Sequence, residues 1–376
     1  MSAREERIDI LRGMAIFIIV INHLTWALVF YGLKGRGIPT PTTLGYSSSA
    51  ELFVIMSGYM VGLVYLSKRD AERAVLRRAR TLYLYNAVLL VAILPLLYVM
   101  SESEAHYWRL DRLLHHPWNA TLKFIGLLYG PNLLDVLQMY MILMLATPLA
   151  IFIYRRSPLA LIALSVAAYA AVQIARVSGV VPALPIDCTF NPFAWQILFF
   201  LPMMLGAKSA HRPFFRIFEG RPLLLLGLFG LMLIGTLLKF SHAEHALPRF
   251  ELFTSKPHLG VVRLAHAVLM VWLYGGLLVL TRPMQDRQPF QILAKVGRNS
   301  LNCFALNVLT TYSLALLWDR CDAGYVGYLA CVAFSLFVTC CAADILDARS
   351  RSTGSRRPEH ADLDATAWTP LAAKLG

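Results

Sequence analysis

Charge is scarce in this chain. Only 15% of its 376 residues are Asp, Glu, Lys or Arg, where a soluble domain carries about a quarter, and that excludes a water-facing surface over most of its length. Acids are the scarcer sign, 22 against 35 lysines and arginines, leaving a net charge of +13. The six cysteines have no metal-type spacing, so nothing points to a bound metal. Cys303, Cys331, Cys340 and Cys341 lie in apolar runs, where cysteine acts as a small hydrophobe. Cys188 and Cys321 lie outside those runs, and spacing alone does not establish a disulfide between them. No internal repeat or separate soluble domain stands out, which weakens a transporter built from matched halves.

What is present in quantity is hydrophobic sequence, 57% of the chain, gathered into long blocks. "GMAIFIIVINHLTWALVFYG" (13–32) and "LLLLGLFGLMLIGTLLKF" (223–240) approach the roughly 20 helical residues that cross a bilayer. The first block lacks a small-residue cleavage site and has Asn22 and His23 at its centre, so it reads as a span and not as a signal peptide. Apolar blocks near 13–32, 50–66, 81–100, 132–154, 158–175, 193–207, 223–240, 260–281, 299–318 and 324–343 predict an all-α, polytopic transmembrane protein of about ten spans. With the N-terminus inside, roughly two-thirds of the lysines and arginines face the cytoplasm, and both termini are expected there. The basic residues sit in short runs between spans, so the positive charge does not imply nucleic acid.

The sequence thus predicts one transmembrane domain over 1–343 and a polar, basic, disordered cytoplasmic tail over 344–376. In the long outer loop 101–131, the stretch "TLKFIGLLYG" is too short to span and is expected to lie in the interface or re-enter the membrane.

An ionisable residue at membrane depth is costly and therefore a functional candidate. His23 lies about ten residues, roughly 15 Å, into the first span. Arg12 precedes it by eleven residues, which turn a helix by about 1,100° and leave the two within roughly 20° of one face. Asp9, three residues before Arg12, can pair with it. Histidine can serve as a general base for a hydroxyl at neutral pH, and arginine can grip the phosphates of an anionic donor. The competing reading makes His23 a buried histidine satisfied by Asn22 or a neighbouring helix, and Arg12 a positive-inside anchor.

Glu51 opens the second span, where it could orient His23, bind a sugar hydroxyl or sit in the wet interface. Ser57-Gly58, near the middle of that span, is read first as a small-residue close approach. Arg77 and Arg80 share a face at the start of the third span, as donor contacts or as inner anchors. Arg263 and His266 share a face near the outer end of the eighth, as a structural pair or as an acceptor-side site.

These residues also carry a resemblance. The opening "RIDILRGMAIFIIVINHLTW", then "SAELFVIMSGYMVGLVY", "FNPFAWQILFFL" (190–201), "KPHLGVVRLAHAVL" (256–269) and "VGRNSLNCFALNVL" (296–309) resemble the OpgC family of membrane acyltransferases, related to the acyltransferase-3 superfamily. That family succinylates osmoregulated periplasmic glucans. The resemblance covers about residues 7–343. It implies a bacterial inner-membrane enzyme with no tightly bound cofactor, using acyl-CoA (succinyl-CoA or acetyl-CoA) as donor and a periplasmic glucan or other glycan as acceptor. By position it makes His23 catalytic, with Asp9, Arg12, Asn22 and Glu51 in the same motif blocks. It assigns Arg12, Arg77 and Arg80 to coenzyme A or its acyl end, and Ser57 is counted with the donor-binding residues. Asn191, Trp195, Gln196, Arg263 and His266 are implied at the acceptor cavity. Leu137-Gln138-Met139-Tyr140 departs from the family's proline-containing pattern, and Tyr83 replaces a proline common in the superfamily. The alternative from another class is a transporter or exporter of a glycan or small anion, which also needs buried ionisable groups.

Overall fold

The computed structural model describes residues 5–180, 189–241 and 249–354. Cys188 and the tail beyond 354 lie outside the described residues. The fold is all-helical, 79% helix with no strand among the described residues. In chain order the helices are α1 Glu6–Phe30, α2 Ser49–Tyr65, α3 Ala71–Ile93, the short α4 Glu102–Tyr107, α5 Asp111–His115 and α6 Pro117–Ile125, then α7 Asp135–Arg156 and α8 Pro158–Val177. They continue with α9 Pro192–Trp195, α10 Ile197–Ala207, α11 His211–Phe218, α12 Pro222–Phe240, α13 Phe250–Thr254, α14 Val261–Leu280, α15 Gln288–Arg298, α16 Ser300–Arg320 and α17 Gly324–Gly354.

Each of the ten apolar blocks falls on a helix. Among the described residues eight helices are long and apolar enough to cross a membrane: α1, α3 with its extension to Tyr98, α7, α8, α12, α14, α16 and α17. The other two blocks differ from plain spans. α2 has only 17 residues, and Pro192–Ala207 pairs with His211–Phe218 across a 92° bend. Ser209, in the break, has φ of 51°, a left-handed conformation that interrupts an α-helix. After the bend, Phe214 and Phe218 of α11 pack edge-on against Trp272 of α14.

The apolar surface fits lipid. Only 6% of the apolar window of α12 is buried, and Leu223, Leu226 and Leu237 stand exposed on it. In water such a face would be an aggregation site; against hydrocarbon it is the expected surface. Of the loop stretch 121–130 expected at the interface, 121–125 forms the second half of α6, with Leu122 and Ile125 exposed and Phe124, Leu127 and Tyr129 buried.

The chain forms two compact units, Met1–Ile38 with Thr281–Gly376, and Pro39–Leu280. In the first unit α1 packs on α15, α16 and α17. α15 is tied to α17 by Lys295–Asp344 at 2.6 Å and Arg298–Asp347 at 2.8 Å. α17 therefore runs past the expected boundary at 343, because two acids read as the start of a polar tail are ion-pair partners.

In the second unit α2 packs on α10, α3 on α7 and α12 on α14. The α2–α10 contact is close because Gly58 and Gly62 meet backbone. A Cβ on Gly58 would lie 2.1 Å from the Phe199 carbonyl oxygen, and one on Gly62 1.8 Å from that of Met203. This is the small-residue approach that Ser57-Gly58 suggested. Gly62→Leu is therefore expected to lower stability by at least about 1–3 kcal/mol through overpacking. An unchanged melting temperature in detergent would contradict that.

Candidate active site

Two clusters of buried polar groups stand out, one in each unit. The first is built on α1 and α16. Asp9 is buried and lies 3.8 Å from Arg12, one helical turn on. Arg12 donates through Nη2 to Ser300 Oγ at 2.6 Å. Farther along α1, His23 Nδ1 faces Asn307 Nδ2 at 2.9 Å, and the ring meets Phe304 edge-on. Asn307 is fully buried, and its Oδ1 accepts from Thr311 Oγ1 at 3.3 Å.

The helical period explains the match. Ser300, Phe304, Asn307 and Thr311 are spaced four, three and four residues apart, so they form one stripe on α16. Arg12 and His23 form the facing stripe on α1, and both are held by α16. The ring of His23 is half-buried and is held by a neighbouring helix. Asn22 is half-buried beside it on α1.

The second cluster lies where α2 begins. Glu51 is fully buried, so it is not an interfacial residue in water. Its Oε1 accepts from Arg263 Nε of α14, while its Oε2 accepts from Ser48 N at 2.8 Å and Ser48 Oγ at 2.6 Å. The carboxylate thus caps α2 and neutralises a buried guanidinium. One turn along α14, His266 Nδ1 meets Ser47 Oγ at 2.7 Å, and a Cβ on Gly45 would strike His266 Nε2 at 1.9 Å. Lys239 holds the same loop by donating to Gly45 O at 2.7 Å. The shared face expected for Arg263 and His266 is present and buried.

The other expected donor and acceptor residues fall elsewhere in the second unit. Arg77 is exposed and pairs with Asp70 at 3.1 Å, and Arg80 is exposed too. Between them Arg78 turns inward, with Nη1 shielded from solvent. Ser57 is half-buried beside the Gly58 contact. Asn191 caps α9 by accepting from Phe193 N at 3.0 Å. Trp195 Nε1 donates to Lys256 O at 3.1 Å, and Gln196 exchanges bonds with Ser165. These three polar side chains tie α9, α8 and the 255–260 loop together. Nearby, burial and then the Arg176 charge push the His258 pKa down. Among the described residues no group of three or more His, Cys, Asp or Glu could hold a metal ion.

Ser300, Asn307 and Thr311 were not singled out from the sequence. The available signal was a row of polar residues at helical spacing inside an apolar block, with Asn307 at mid-span.

Long apolar helices together with deeply buried Glu, Arg and His define a polytopic membrane protein with an internal polar site. The chain belongs to the OpgC protein family, whose model matches residues 4–351. Membership supports acyltransferase activity toward glucans. No curated protein and no solved structure matches the chain.

Proposed function

We propose that this chain is an O-acyltransferase of the bacterial inner membrane, moving an acyl group, succinyl first, from cytoplasmic acyl-CoA to a hydroxyl of a periplasmic glucan. The observation that carries the reading is the α1 stripe. Arg12 and His23 lie about 16 Å apart along one helix face, a span comparable to the extended pantetheine arm of coenzyme A. Arg12 takes the anionic end of the donor. His23 lies where the thioester would reach and where a sugar hydroxyl would arrive from the other side.

His23 removes the hydroxyl proton, and the oxygen attacks the thioester carbon. The new C–O bond forms as the C–S bond breaks, and the proton passes from His23 to the departing thiolate, which leaves as coenzyme A. Arg77 and Arg80 belong to the donor by family position. Arg263 and His266, buried beside Glu51, are the acceptor-side candidates.

Mass spectrometry of periplasmic glucans from cells with and without the protein tests the assignment. The expected result is acyl-substituted glucan only when the protein is present. Identical glucans in the two strains would overturn it.

A further inference from the structure

Asn307 is a costly residue to place at mid-span. Its side chain carries two donors and one acceptor group, it is fully buried, and the proposed chemistry has so far given it no task. Its contacts point to one. Nδ2 lies 2.9 Å from His23 Nδ1, and on its far side Oδ1 accepts from the buried hydroxyl of Thr311.

With the amide nitrogen facing it, Nδ1 must accept. The proton of the neutral ring then sits on Nε2, and the ring can donate but cannot take a proton there. For Nε2 to act as a base, Nδ1 must carry the proton, and the group facing Nδ1 must be an acceptor. A carboxamide provides one by turning over, since its oxygen and nitrogen are nearly the same size. Thr311 tolerates the turn because a hydroxyl both donates and accepts. The oxygen-inward arrangement is also the one compatible with the imidazolium that forms when the sugar proton arrives, because both ring nitrogens then carry hydrogen.

We propose that Asn307, backed by Thr311, is the positioning residue that sets the tautomer of His23 and stabilises its protonated form during acyl transfer. The inference rests on the acyltransferase reading given above. It assigns Asn307 the part that asparagine plays in Cys-His-Asn enzymes, here serving a base that activates an alcohol.

The surroundings make the pH consequence readable. From the helices packed on α1, α17 contributes the Tyr328 phenol, which bonds Thr25 two residues beyond His23. α16 contributes the buried Cys303 thiol. Arg298 of α15 and Asp347 of α17 pair with each other, and Arg298 also senses Asp9, which lies about 20 Å along α1 from His23. A carboxylate at position 307 would therefore act on the ring at contact distance.

The test measures kcat against pH for purified protein carrying Asn307→Asp, Asn307→Leu or Thr311→Val, using labelled succinyl-CoA and a neutral glucan, with His23→Ala alongside. Asn307→Asp can only accept. It raises the pKa of the imidazole, so the acid limb of the profile should move up by about one unit or more, with activity returning at high pH. Asn307→Leu should lower kcat about 10- to 100-fold with little change in KM for the donor, and Thr311→Val less.

The acid limb decides the matter, since a purely structural role would not move it. If the Asn307→Asp limb stays where it is while His23→Ala is inactive, the positioning role is overturned and the acyltransferase reading stands. Full transfer by His23→Ala overturns the positioning role together with the catalytic role of His23, whereas no transfer by the unaltered protein overturns the acyltransferase reading.

Discussion

His23→Ala is expected to insert and fold like the unaltered protein and to lose acyl transfer by roughly 100- to 10,000-fold, the usual contribution of a positioned general base. The loss should appear in kcat, because the grip proposed for the donor's anionic end lies elsewhere, at Arg12. Stability should change little: the ring is half-buried, and its partner Asn307 keeps Thr311. Parallel measurements of transfer rate and melting temperature check this. A variant that melts normally and retains more than about a tenth of the rate would leave the ring without a role in proton transfer.

The largest stability effect is expected at the other cluster. Glu51→Ala removes the partner of a buried guanidinium and the acceptor for Ser48 at the start of α2. Breaking a buried ion pair from one side costs about 3–5 kcal/mol, chiefly because the remaining charge is stranded, and losing the cap adds about 1 kcal/mol. Removing both charges tells the two contributions apart. Glu51→Leu with Arg263→Met should regain most of the loss, since an apolar replacement of a buried pair is often neutral. A double-mutant cycle on unfolding free energies measures the coupling. A single-variant loss below about 1 kcal/mol would mean that the pair is hydrated and not buried.

The helices were largely legible in the sequence because lipid demands long apolar runs and satisfies backbone polar groups only in helices or closed barrels. All ten blocks fall on helices for that reason. The bend between α10 and α11 was not legible, since it turns on a left-handed residue, Ser209, in a stretch with no strong turn signal. The extent of α17 is not legible either, because Asp344 and Asp347 look like solvent residues until Lys295 and Arg298 are placed beside them.

Half of the candidate site was legible too. Asp9, Arg12 and His23 lie on one helix, so the 3.6-residue period alone aligns them. Their partners required the fold. Asn307 stands 284 residues from His23, and Arg263 stands 212 residues from Glu51. Helical spacing carries no information about pairing across such separations. Asn191, Trp195 and Gln196 show the reverse difficulty: their motif is recognisable, while their polar atoms serve the packing of a loop.

The most direct test is a reaction in detergent, with no bilayer and no gradient, containing purified protein, succinyl-CoA labelled in the succinyl group and a neutral glucan. The account predicts ester-linked label on the glucan and one free coenzyme A released for each group transferred. Label that stays on coenzyme A in detergent, combined with movement of glycan or anion across a membrane once the protein is reconstituted, would contradict it and favour a transporter.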